Sequence, residues 1–110
     1  VWAATPVAIT VADGQRVTGS AVAVLGTASG TATSVGIGLC HQATGGPIAA
    51  FEPANYTVVA SISQRAIFPA ASTIGDLPAG SYQVGFCVRN VSPTALNSND
   101  SVNGWVMVTN

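Results

Sequence analysis

At 110 residues the chain has the size of a single domain, 1–110, built around one core. Charged residues make up 6% of it, lysine is absent and the net charge is −1, where an ordinary soluble domain carries about 25% charged residues. That balance excludes the electrostatic footprint of a nucleic-acid or anionic-membrane binder, and no apolar run approaches the roughly 18 residues of a membrane span.

The chain opens on "VWAATP", whose small residues suit a signal-peptidase site, so removal of an upstream segment is expected. Beyond it, apolar residues alternate with small or polar ones over short runs, and no helical period is present. The first strand is predicted over 7–11, where Val7, Ile9 and Val11 share one parity. "ADGQ", with Asp13-Gly14 at its centre, follows as a hairpin signal. Strands are then predicted over 20–27 and 33–42, with "ATGGP" turning the chain at Gly45-Gly46-Pro47. Further strands are predicted over 56–63, 66–68, 81–90 and 102–109. "DLPAGS" makes the turn before 81–90, and "NVSPTALNSND" is a polar loop before the last strand. About seven strands separated by turn chemistry predict an all-β fold, an antiparallel sandwich or jelly-roll-like domain.

Two of these strands carry the only cysteines and nearly the same pattern, "VGIGLC" ending at Cys40 and "YQVGFC" ending at Cys87. With side chains alternating across a strand, Val35, Ile37, Leu39 and His41 share one face of the first. Gly36, Gly38, Cys40 and Gln42 share the other. The second strand repeats this, with Tyr82, Val84, Phe86 and Val88 against Gln83, Gly85, Cys87 and Arg89. Matched faces place the cysteines on neighbouring strands and predict a Cys40–Cys87 disulfide, which belongs to an oxidising compartment. Glycine weakens a strand, so Gly36, Gly38 and Gly85 predict close approach of a ring or another backbone. Trp2 or Trp105 from within the chain is one such cover, and a partner subunit is the other.

The residues offer little to catalysis. His41 is the only histidine, it projects away from adjacent Cys40, and no nucleophile-elbow motif is present. Asp13 and Asp76 lie in turn sequences, and Glu52 is expected to pair with Arg65 or Arg89. His41, Glu52 and Asp76 are therefore expected to be structural, and no enzyme activity is expected. Zinc would need three or four ligands, and a disulfide removes the thiols. "LNSNDSVNG" lacks the acids of a calcium loop and reads as a polar turn. No metal or cofactor is expected. Tyr82 and Trp105 read as core residues, although the aromatic set including Trp2 and Tyr56 keeps a sugar-stacking platform as an alternative. Sequons at Asn55, Asn90 and Asn99 are candidate N-glycosylation sites if the host modifies asparagine, with Pro93 handicapping the second.

The remaining signal is the missing edge protection. β proteins guard their edges with lysine, other charges or proline, and these strands have almost none. The expectation is a secreted or cell-surface structural subunit that self-associates into a filament or homo-oligomer, with a closed jelly-roll trimer as one form. Residues 1–11 are a connecting strand in this reading, and Val7, Ile9, Val11, Gly36, Gly38 and Gly85 are candidate subunit contacts. A carbohydrate-binding or adhesive module, with glycans as partners, is the alternative.

Overall fold

The computed structural model describes residues 1–51, 56 and 58–110, and for Val58 and Val59 the backbone alone. The strands are β1 (Val7–Val11), β2 (Arg16–Leu25), β3 (Ala32–Ala43), β4 (Ala49–Ala50), β5 (Val58–Ile62), β6 (Ala66–Ile74), β7 (Gly80–Asn90) and β8 (Val102–Thr109). They form two antiparallel sheets: β1-β7-β3, with β4 and β5 sharing the far edge of β3, and β6-β2-β8. The fold is all-β and sandwich-like, as the alternation predicts, with eight strands among the described residues.

One face of each sheet supplies the core. Val17, Ala23 and Leu25 of β2 meet Val35, Ile37 and Leu39 of β3, all at most 3% exposed. Fully burying a side chain of this size contributes about 1.5–3 kcal/mol, which is why the period-two parity fixes which face turns inward. β3 is unusual in being buried on both faces from Val35 to Cys40. Its second face, the glycine and cysteine face, therefore has a cover of its own.

Turn chemistry accounts for the links. Gly45 takes a left-handed φ of 76° and the Gly46 N–H donates to Ala43 O at 2.9 Å, so the predicted turn is present and links β3 to β4 as a hairpin. At "ADGQ" Gly14 likewise takes φ 81° and the Gln15 N–H donates to Ala12 O at 3.1 Å. That turn is not a hairpin. β1 belongs to one sheet and β2 to the other, so it carries the chain across the sandwich. Before β7, the Tyr82 hydroxyl donates to Pro78 O at 2.6 Å, the arrangement of a tyrosine corner in Greek-key sandwiches.

Most strand limits fall within two residues of the sequence reading, and the larger differences lie in β2, β4 and β6. β2 starts at Arg16 rather than 20, β4 was not anticipated, and β6 runs through Pro69 to Ile74 instead of stopping at 68. Proline is tolerated there because β6 is an edge strand, paired among the described residues only with β2. In β3 the register slips between Ala32 and Val35, where Ser34 takes a left-handed φ of 56°, the signature of a bulge.

Candidate functional site

Cys40 and Cys87 form the predicted disulfide, with Cα atoms 5.8 Å apart, within the range that a bridge spans without backbone movement. Both are fully buried on the outer face of the β1-β7-β3 sheet. The Cys87 sulfur also lies 3.3 Å from the Gly38 carbonyl oxygen; being bonded to sulfur it has no proton to donate, so this is a packing contact.

The N-terminal arm lies along β7 beside this strip. The Val1 ammonium donates to Val88 O at 2.9 Å, the Val88 N–H donates to Val1 O at 3.0 Å, and the Ala3 N–H donates to Phe86 O at 2.9 Å. Trp2 thereby stands opposite Cys87. Residues 4–6 interrupt the ladder before β1 resumes the pairing at Val7↔Val84. A Cβ on Gly85 would lie 3.3 Å from Pro6 Cα and 3.4 Å from Trp2 Cε3, and a Cβ on Gly36 would lie 2.9 Å from the Tyr56 ring. Within the single chain, the ring over Gly85 is thus Trp2 and the ring over Gly36 is Tyr56. Trp105 is not one of them.

Trp105 corrects the sequence expectation. It is 55% exposed on the outer face of the β6-β2-β8 sheet, because Val106 and Val108 take the inward parity of β8. The register sets Trp105 beside Ser20 and Ala71, Met107 beside Thr18 and Thr73, and Asn103 beside Val22 and Pro69. With Ile67 at 69% exposure and Met107 at 49%, this surface is apolar or hydroxylated apart from the Asn103 amide. Arg16, at one end of β2, is the only charged residue in these three strands. Tyr82, in contrast, is buried as expected.

An apolar slot of about 200 Å³ opens between the β1 and β8 edges of the two sheets. Leu39, Val84 and Phe86 line one wall and Gly19, Ala21 and Gly104 the other. The slot exists because mid-β2 and mid-β8 present almost no side chain inward. Val7, 49% exposed, sits at its mouth. Of the other β1 residues named as subunit contacts, Ile9 is half-buried and Val11 is buried in the chain's own core.

His41 packs with the rings of Phe51 and Tyr82, at centroid distances of 6.2 and 6.0 Å. Burial pushes its imidazole below the ordinary pKa of 6.5, and Asp76 pulls it back in part. Glu52 and Asn55 lie outside the described residues. Arg65, one proposed partner of Glu52, meets Asp100 at 3.7 Å and donates from Nε to Ser98 O at 3.0 Å. Among the described residues no three His, Cys, Asp or Glu side chains gather where a metal would sit.

The polar loop spends its oxygens internally. Asn97 and Asn99 accept from the Ala28 and Gly26 N–H groups at 2.8 and 3.1 Å, pinning the loop to the end of β2. The amide nitrogens of the two described sequons also donate internally, Asn90 to Thr94 O at 2.7 Å and Asn99 to Leu96 O at 2.9 Å. No helix among the described residues is long and apolar enough to cross a membrane. No protein-family model, curated protein or solved structure matches the chain.

Proposed function

We propose that this chain is a non-enzymatic structural subunit that self-associates outside the cell, as a filament or a closed homo-oligomer. The observation that carries the reading is the outer face of the β6-β2-β8 sheet. It holds Trp105, Met107, Val22 and Ile67 in the open with no lysine and almost no charge around them. A face of this kind favours burial against a partner, and a chain with so few charges resists association poorly on its own. The buried disulfide is compatible with an extracellular location.

The N-terminal segment Val1 to Val11 is the natural connector. Its arm is held on β7 by main-chain bonds and interrupted at residues 4–6, so the same bonds serve equally when it lies on another copy. Exchange of an identical element is a low-cost route to oligomers. Negative-stain imaging of native material, with the mass of the purified chain in solution, tests the proposal. Fibres or a discrete multiple of 10.9 kDa support it. A species of 10.9 kDa at every concentration counts against it.

The exposed Trp105 favours one second reading, a carbohydrate-binding module in which the indole stacks on a sugar ring. A monomer retained on a glycan column, and released by Trp105→Ala, supports that alternative.

A further inference from the structure

Among the described residues, one sheet edge stands unguarded. β1 is five residues long and enters from Pro6 after the interruption at residues 4–6. The far edge of β3 is broken between the two-residue β4 and the five-residue β5. β6 is long but carries Pro69 at its centre. β8 is different: eight residues, "VNGWVMVT", with no proline, no charge and no register break, paired among the described residues on one side only, with β2. Natural sheets rarely leave such an edge uncovered, because its free N–H and C=O groups template another strand.

We infer that β8 is the self-association edge, pairing antiparallel with β8 of a second copy so that two three-stranded sheets become one continuous sheet. The inference rests on the self-association proposed above and names its surface. The free main-chain groups call for a strand as occupant, and the absence of charge in β8 gives a charged partner no counterpart while leaving two copies free of mutual repulsion. An antiparallel strand pair is also self-complementary, the geometry of a two-fold interface.

Side-chain parity makes the fit specific. Residues directly opposite in an antiparallel pair share a face, so two-fold pairing sets outward residues against outward ones. Trp105 then faces either its own counterpart or the second copy's methionine. On the inner side the added strand's valines continue the layer formed by Val102 and Val106. They extend over the mouth of the slot, where Val7 and Gly104 are open. One event thus flanks the indole and the thioether with a second copy's side chains and closes the slot.

Sedimentation of the full-length chain tests this with a charge-matched pair of double variants. Trp105→Lys/Met107→Lys places like charges opposite one another in either register and is expected to weaken association at least about tenfold. Val22→Lys/Ile67→Lys adds the same charge to the same face on β2 and β6, away from the β8 edge, and is expected to weaken association several-fold less than the β8 pair does. Amide exchange gives a second readout, since edge pairing protects β8 amides on assembly and face-to-face packing adds no such hydrogen bonds. Association weakened equally by both variants, or assembly without new protection in β8, overturns the edge assignment while self-association stands. A wild-type chain monomeric throughout overturns the reading on which it rests.

Discussion

Cys40 stands opposite Gly85 in the β3–β7 ladder, not opposite the cysteine it is bonded to. Cys87 in turn stands opposite Gly38. The bridge therefore runs diagonally across the ladder, and at each end the residue facing the cysteine is one with no side chain to obstruct the sulfur. This assigns a physical role to glycines that otherwise weaken the two central strands. It also explains why the arm can lie so close, with Pro6 and Trp2 seated over Gly85.

Loss of the disulfide should be costly. The cysteines are 47 residues apart, and in the chain-entropy model closing such a loop stabilises by about 4 kcal/mol. Paired Cys40→Ala/Cys87→Ala substitution is expected to lower the denaturation free energy by about 2–4 kcal/mol without altering strand content. Urea titration followed by circular dichroism measures both.

Gly85→Val should lift the N-terminal arm. The new side chain meets Pro6 backbone as well as the Trp2 ring, and crowding of this sort costs about 1–3 kcal/mol. A red-shifted Trp2 emission accompanying the lost stability, read in a Trp105→Phe background, is the expected signature.

Acid should weaken the fold through His41. Its folded-state pKa lies below the ordinary 6.5, so its contribution is complete above that value. It is lost as the pH falls from there through the depressed folded value, because the unfolded chain takes up the proton first. Replacing His41 with Gln should flatten this part of the stability profile. Asp76→Asn removes the group that favours the charged ring and should steepen it. Denaturation midpoints between about pH 8 and 5 decide the matter.

How much of this was legible in the sequence depended on the range of the interaction concerned. The alternation of Val7, Ile9 and Val11, and of residues 102–109, gives β1 and β8 their observed limits, because one buried face imposes a strict parity. The disulfide followed from the same parity applied twice. "ADGQ" was legible as a turn but not as a crossing between sheets, since its chemistry is local and the pairing of β1 with β7 is not. β6 was cut short at Pro69 because the cost of proline depends on whether a strand has one neighbour or two. Trp105 was misplaced because its neighbours are apolar on both sides. Asn103 and Thr109 share its parity and carried the signal that this face turns to solvent.

Met107 is the chain's single methionine, so its oxidation by peroxide reads one position on the surface assigned to association. In an isolated chain it is 49% exposed. Its oxidation rate, measured on the native full-length protein as concentration is raised, is predicted to fall as copies associate and to recover on dilution. A rate that stays fast and constant across the whole concentration range would contradict burial of this surface between copies.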